Sequence, residues 1–187
     1  MLLGLTGRNG SGKSAIIDWF AERGYGTSSC SDSIRHWLRN KGREVTRENL
    51  IEGGRNLRAA GGPGVLAEML LAMIGEDENH AIDSIRTPAE VEALRVRDDF
   101  LLIEIRAGEA IRWDRLSSRG RAGDSTTFEE FKAADQAELE AHDESGQALL
   151  ATAKLADIVI HNDGTLEELH AQLEAPKASC DDVFPAP

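Results

Sequence analysis

The residues from Gly7 to Ser14 have the types and the spacing of a loop that binds phosphate groups. They match the pattern G-x-x-x-x-G-K-[ST] at each fixed position. Glycines let backbone N–H groups turn around an anion, and the N-terminus of a following helix adds a partial positive charge. Lys13 can reach the β- and γ-phosphates of a nucleotide, and the Ser14 hydroxyl can bind Mg²⁺. The predicted nucleotide-binding residues of this loop are Gly7, Asn9, Gly10, Ser11, Gly12, Lys13, Ser14 and Ala15.

Other classes of nucleotide-binding protein fit this loop less well. Asp32 lies 20 residues after Gly12, as in a dinucleotide fingerprint, but the glycine spacing differs and such a site has no use for the Lys-Ser pair. The segment 40–43, Asn-Lys-Gly-Arg, lacks the aspartate of a guanine-binding N-K-x-D motif. Asp83 is followed by Ser84, where a motor-type ATPase would usually have glutamate. The sequence therefore favours a phosphotransferase.

Two pairs of aspartate and arginine, three residues apart, lie near the carboxyl ends of predicted strands. Asp83 is expected to hold Mg²⁺ through water, and Arg35 and Arg86 are expected to clamp the phosphate of an acceptor. Asp32 is expected to orient or deprotonate the acceptor. The structural alternative for each pair is an N-cap carboxylate beside a surface arginine. Arg58 is a further candidate for contact with the acceptor, with a surface role as its alternative.

Arginines form a third group between residues 112 and 121. Its members are Arg112, Arg115, Arg119 and Arg121. The last two lie in a predicted polar loop, and the segment 117–126 is interpreted as a lid that folds over the triphosphate and excludes water. Arg115, Arg119 and Arg121 are then predicted to stabilise the charge of the transferring group, together with Lys13. The alternative is a solvated basic loop that pairs with the acidic helix at 129–140.

Short apolar runs alternate with helical patterns along the chain, which is typical of a parallel sheet with helices on both faces. The predicted strands are 2–6, 25–29, 80–85, 100–105 and 157–161. The predicted helices are 14–23, 33–40, 47–60, 65–74, 108–116 and 147–155, with three more that begin after Thr87, Thr127 and Thr165. Parallel sheets bind ligands at the carboxyl ends of their strands, so the candidate residues should converge there.

The composition bounds the kind of partner. The chain has 187 residues and a formal net charge of −12, and residues 123–187 hold 3 basic and 15 acidic side chains. An acidic chain is a poor general binder of nucleic acid, and no apolar run approaches the length of a membrane span. The start of the chain lacks the features of a signal peptide, and two cysteines fit a reducing compartment. We therefore expect a cytoplasmic protein, monomeric or homodimeric, that binds small molecules and neither nucleic acid nor membrane.

The chain resembles the nucleoside monophosphate kinase group of P-loop proteins, in particular small adenylate-kinase-related and dephospho-CoA-kinase-like proteins. The resemblance covers roughly residues 2–173. It is carried by the phosphate loop, by Ser31–Arg35, by Ile82–Glu90, by Arg112–Arg121 with Phe128–Phe131, and by Ala156–Ile160 with Asn162–Thr165. The third-strand motif D-G-x-P-R of adenylate kinases is one residue longer than Asp83–Arg86, and Cys30 stands where dephospho-CoA kinases usually carry aspartate.

The resemblance implies a three-layer α/β P-loop kinase fold with a five-stranded parallel sheet and a small arginine-bearing lid. It implies one domain at 1–175, with an acceptor-binding helical region at 31–75 and a loose tail at 176–187. It also places Asn162 and Gly164 near the adenine. The expected function is ATP- and Mg²⁺-dependent phosphate transfer to a nucleotide or nucleotide-like acceptor. The alternatives are a nucleotide-binding regulatory or sensor module, and a slow ATPase without an acceptor.

Overall fold

The protein is described here by a computed structural model, which places residues 1–76, 78–120, 125–140 and 149–174. The side chains of residues 138–140 are not described. Residues 121–124 of the sequence-predicted lid, which include Arg121, and the tail at 176–187 lie outside the described residues. No helix of the described ranges is both long and apolar enough to cross a membrane.

Five strands alternate with helices, as the sequence predicts. The strands are β1 (Leu2–Thr6), β2 (Gly26–Ser29), β3 (His80–Asp83), β4 (Phe100–Arg106) and β5 (Ile158–His161). The helices are α1 (Lys13–Glu22), α2 (Cys30–Asn40), α3 (Arg47–Gly61), α4 (Val65–Leu71), α5 (Pro88–Leu94), α6 (Glu109–Arg119), α7 (Phe128–Glu140), α8 (Leu149–Ala153) and α9 (Leu166–Glu174).

The five strands form one parallel sheet in the order β2-β3-β1-β4-β5. Strand β1 lies at the centre, and all five of its residues are buried. Leu2 is in register with both His80 of β3 and Phe100 of β4. The loops that follow β1 and β3 therefore emerge side by side at one edge of the sheet, where parallel sheets bind ligands.

Alternate residues of the central strands belong to two separate apolar cores, because successive side chains of a strand point to opposite faces of the sheet. On one face, Leu2 and Ile82 pack with α2, α4 and α5. On the other face, Leu3 and Leu5 pack with α1 and α9. The confirmed architecture is therefore a five-stranded parallel sheet between two helical layers.

Local capping sets the bounds of several helices. Helix α2 begins at Cys30, three residues before the predicted start, because Ser29 and Asp32 form a capping box. Thr87 and Glu90 form the predicted capping box of α5, with Pro88 in its first turn. Helix α6 continues to Arg119, beyond the predicted end at Leu116, and ends at Gly120 in the left-handed conformation.

Candidate functional site

The phosphate loop joins β1 to α1 and has three glycines with positive φ. The φ angles are 140° at Gly7, 79° at Gly10 and 100° at Gly12. Only glycine adopts such angles without a steric cost, so the backbone here depends on these residue types. Lys13 Nζ donates hydrogen bonds to the carbonyl oxygens of Gly7 (2.6 Å) and Arg8 (3.1 Å). The loop therefore encloses the Lys13 ammonium group at the N-terminus of α1. A positive charge at the N-terminus of a helix favours the binding of an anion.

A cavity of about 340 Å³ opens at the loop, at the carboxyl edge of the sheet. Its lining residues are Asn9, Gly10, Gly12, Lys13, Ser14, Asp83, Ser84, Arg86, Arg115, Leu116 and Arg119. All of them except Ser84 and Leu116 belong to the sequence-predicted site. The fold thus brings the loop, the third-strand Asp–Arg pair and two arginines of α6 to one cavity.

The side chains that line the cavity include two that could bind a metal ion through oxygen, Ser14 and Asp83. Asp83 Oδ1 is buried and has no hydrogen-bond partner among the described residues. Ser14 lines the same cavity, and no group of three or more metal-binding side chains occurs in the described part of the chain. The Ser14 hydroxyl and the Asp83 carboxylate are suitable ligands for Mg²⁺. This ion usually binds only one or two protein oxygens and completes its coordination with water and phosphate oxygens.

The phosphate loop is braced by Asn162, a buried asparagine directly after β5. The side-chain amide of Asn162 donates a hydrogen bond of 2.8 Å to the carbonyl of Ser11. Arg115 Nη2 donates to Asn162 Oδ1 over 3.3 Å, and Arg115 Nη1 is buried without a partner among the described residues. A Cβ on Gly12 would overlap the Asn162 amide. Asn162 therefore supports the loop directly and holds one side of the Arg115 guanidinium.

Gly164 lies two residues beyond Asn162, and neither of them lines the cavity. A Cβ at this position would collide with the carboxylate of Glu168, which accepts a hydrogen bond of 2.8 Å from the backbone N–H of Thr165. Gly164 thus leaves room for the cap of α9. The residues that the structure places against the phosphate loop from β5 therefore include Asn162 but not Gly164.

A second brace comes from α6 and α7. Arg112 is 1% exposed and binds the carboxylate of Asp135 through both terminal nitrogens, at 2.5 and 2.8 Å. Arg8 of the phosphate loop donates to the same carboxylate at 2.9 Å. Arg112 Nη1 also donates to the carbonyl of Asn9 over 3.3 Å. Arg119 Nη2 lies 3.5 Å from Asn9 Oδ1, so two arginines of α6 contact the same loop residue.

Asp32 and Arg35 do not line the cavity. One Asp32 oxygen accepts hydrogen bonds from the backbone N–H (2.7 Å) and the hydroxyl (3.1 Å) of Ser29. The other accepts from Arg35 at 2.9 Å. In this structure the pair caps α2 and forms an i,i+3 ion pair, which is the structural alternative set out above.

Arg58 and Arg86 are linked through a buried carboxylate of α5. Glu90 Oε1 lies 3.6 Å from Arg58 Nη2, and Glu90 Oε2 accepts a hydrogen bond of 2.9 Å from the backbone N–H of Arg86. Burial raises the pKa of the Glu90 carboxyl, although the hydrogen bond from Arg86 and the charge of Arg58 act in the opposite direction. Arg58 is thereby tied to the segment that carries Arg86 into the cavity.

The thiol of Cys30 lies near this group. Burial raises its pKa well above the usual range, and the Glu90 carboxylate adds to that shift. A thiol with a raised pKa is a poor nucleophile, because the thiolate is the reactive form. The structure therefore gives no support to a reactive role for Cys30.

Relatives in sequence identify the family. No model of a known protein family matches the chain. A UPF0200 protein of Hyperthermus butylicus is 32% identical over 174 residues, which are 92% of this chain and 90% of that protein. The chain belongs to the UPF0200 family. Another UPF0200 protein, from Methanothrix thermoacetophila, is also 32% identical and matches 92% of this chain and 93% of its own length.

Solved structures place this UPF0200 protein among the P-loop kinase folds. The crystal structure of TT1252 from Thermus thermophilus aligns with a TM-score of 0.61, at 22% identity over 93% of this chain and 94% of that chain. Shikimate kinase from Bacteroides thetaiotaomicron aligns with a TM-score of 0.58, at 14% identity over 93% of this chain and 96% of its own. At these identities the likeness shows the fold, and the predicted fold class is confirmed.

Two residues that brace the phosphate loop of the UPF0200 protein are not among the sequence-predicted ones. Arg8 occupies a variable position of the phosphate-loop pattern, and Asp135 is one of many acidic residues of α7. The sequence gave one indication of these contacts, because pairing of the arginine group with the acidic helix at 129–140 was an alternative interpretation. It could not select Asp135, because the choice depends on which face of α7 packs on α6.

Ser84 is the single non-glycine residue with positive φ in the described ranges, at 60°. Such a conformation costs about 1–2 kcal/mol for a residue with a Cβ. Glycine loses about 0.5–1 kcal/mol through the greater freedom of the unfolded chain. We therefore expect Ser84→Gly to raise the free energy of unfolding by about 0.5–1 kcal/mol, as measured by chemical denaturation. Ser84→Ala keeps the Cβ and should bring no gain, so an equal gain in both variants would contradict this interpretation.

Proposed function

We propose that this UPF0200 protein is an ATP-dependent phosphotransferase whose acceptor is a nucleotide or a nucleotide-like molecule. One observation carries the proposal: the phosphate loop, Asp83 and the arginines Arg86, Arg115 and Arg119 line a single cavity. A loop that only binds a triphosphate does not require three further arginines around the same cavity. Phosphoryl transfer does, because charge spreads over the oxygens of the transferring group.

The donor side of the proposed reaction uses the phosphate loop. The loop N–H groups and Lys13 hold the ATP phosphates, and Ser14 and Asp83 hold Mg²⁺. When bound, the Mg²⁺ neutralises charge on the β- and γ-phosphates. The unpartnered Oδ1 of Asp83 supports this assignment, since a buried carboxylate oxygen without a hydrogen bond is costly unless a ligand satisfies it.

The transfer step needs positioning more than covalent chemistry by the protein. An oxygen of the acceptor forms a bond to the γ-phosphorus while the bond from that phosphorus to the β–γ bridging oxygen breaks, and ADP leaves. Arg115 and Arg119 face the cavity from α6 and are assigned to the charge that develops on the transferring group. The buried and unpartnered Arg115 Nη1 supports this role.

The acceptor side rests on Arg86. Arg86 lines the cavity, and its backbone N–H is bound by Glu90. An arginine fork at this place favours an acceptor that carries a phosphate group. The helices at 31–75 are proposed to enclose the remainder of the acceptor, with Arg58 as a contact; Arg35 would have to leave its ion pair with Asp32 to take part. Kinases that share the fold include enzymes for small acceptors, among them shikimate kinase from Acinetobacter baumannii in complex with shikimate.

An acceptor panel tests the proposal. ADP formation is measured in reactions that contain ATP and Mg²⁺. The acceptor is in turn each nucleoside monophosphate, dephospho-CoA, shikimate or none. We expect that at least one of these acceptors becomes phosphorylated and that ADP forms only when this acceptor is present. ADP release at one rate in every reaction would instead show an ATPase. Nucleotide binding without turnover would show a sensor module.

A further inference from the structure

The carboxylate of Asp135 lies between two guanidinium groups, one from α6 and one from the phosphate loop. Its side chain is 5% exposed, and those of Arg112 and Arg8 are 1% and 35% exposed. Both oxygens of Asp135 bind Arg112, and one of them also binds Arg8. Asp135 does not line the cavity, so it does not itself contact a ligand bound there.

Arg112 forms part of the support behind the phosphate loop. Its Nη1 donates to the carbonyl of Asn9, and its Nε donates to the carbonyl of Ala107 at 3.2 Å. A Cβ on Gly10 would lie 2.8 Å from the Arg112 carbonyl oxygen, so the backbones of the loop and of α6 are in close contact. Asn9 and Gly10 both line the cavity. A movement of Arg112 would therefore move the cavity wall.

The orientation of Arg112 depends on Asp135. A bidentate carboxylate fixes the plane of a guanidinium group, and a buried cation without a carboxylate is strongly unfavourable. Helix α7 adds a second contact, because the Phe131 ring lies 5.3 Å from the Arg112 guanidinium carbon. Helix α7 thus holds Arg112 by charge and by an aromatic face.

We propose that Asp135 is a positioning residue that fixes the phosphate loop in its ATP-binding conformation through Arg112 and Arg8. The proposal rests on the proposed function only in taking ATP as the ligand of the loop. Simple electrostatics gives the opposite expectation. Removal of a negative charge close to a phosphate site should strengthen the binding of a polyanion, whereas loss of loop positioning should weaken it.

Calorimetric titration of the full chain with ATP and Mg²⁺ separates these two expectations. We expect Asp135→Asn to raise the dissociation constant of ATP at least about 10-fold, since truncation of a buried charge pair has effects of this size or larger. Glu129→Gln removes an exposed carboxylate from the same helix and should leave the constant within about 2-fold. Unchanged or tighter binding by the Asp135→Asn protein would overturn the proposal.

A second variant keeps the test decisive if Asp135→Asn does not fold. Arg112→Lys retains the positive charge but cannot bind a carboxylate in the bidentate manner and reach Asn9 at the same time. It should weaken ATP binding on its own. Where Asp135→Asn folds, the double variant should lose less affinity than the sum of the two single losses. Additive losses, or wild-type affinity in Arg112→Lys, would contradict a route through Arg112. A wild-type protein that binds no ATP would instead refute the proposed function.

Discussion

Replacement of Lys13 by alanine should lower acceptor-dependent ADP formation by about 10²–10³-fold. The ammonium group is the cation closest to the phosphates in the proposed complex, and loss of a single preorganised donor costs about 10²–10³ in rate. The structure holds this ammonium on two carbonyls of the loop, 2.6 and 3.1 Å away. Their loss should cost only about 1 kcal/mol of folding stability, so Lys13→Ala should remain folded.

Lys154→Ala is the control for this variant. Lys154 is exposed and lies outside the cavity lining, so its loss removes one positive charge without touching the site. Its rate of ADP formation should match that of the wild type, with thermal unfolding measured for all three proteins. A folded Lys13→Ala protein that retains wild-type turnover would contradict the assignment of the loop.

Gly12→Ala should abolish measurable ATP binding and reduce stability by about 2–3 kcal/mol. Part of the loss is the φ of 100°, which costs a residue with a Cβ about 1–2 kcal/mol. The rest arises because the new methyl group would displace the Asn162 amide from its hydrogen bond to Ser11. Without that bond the loop loses its brace from β5.

Gly24→Ala is a matched control, because Gly24 has a φ of 81° and no atom lies within 4 Å of a Cβ built there. This variant should lose about 1 kcal/mol through the backbone alone and bind ATP as the wild type does. Urea unfolding and ATP titration of both variants separate strain from the loss of the brace. Equal stability losses and equal ATP affinities in the two variants would show that Asn162 does not support the loop.

Much of the fold could be predicted because the strands are short, apolar and separated by amphipathic helices. Leu2–Thr6 reads as a buried strand and lies at the centre of the sheet. The N-terminus of α5 was readable because Thr87, Pro88 and Glu90 each have a defined role there. The starts and ends of other helices were less predictable. The start of α2 depends on a cap formed by Ser29 and Asp32, whereas the sequence also allowed Asp32 a functional role beside Arg35.

The donor half of the candidate site could be predicted to a greater extent than the acceptor half. Lys13, Ser14 and Asp83 follow from local motifs on neighbouring strands, and the register of the sheet brings them together. Asp32 carries no such constraint, since an aspartate at this position serves equally as a helix cap. Asp135 could not be found, because its contact with Arg8 spans 127 residues and depends on the packing of α7.

The most direct test of the account is calorimetric titration of the wild-type protein and of Lys13→Ala with ATP in the presence of Mg²⁺. The cavity at the phosphate loop predicts saturable binding of one ATP per chain by the wild type and strongly weakened binding by the variant. Adenosine, which lacks phosphates, should bind far more weakly than ATP. Absence of ATP binding by the wild type, or equal affinity in the two proteins, would contradict the central claim that this loop holds a nucleoside triphosphate.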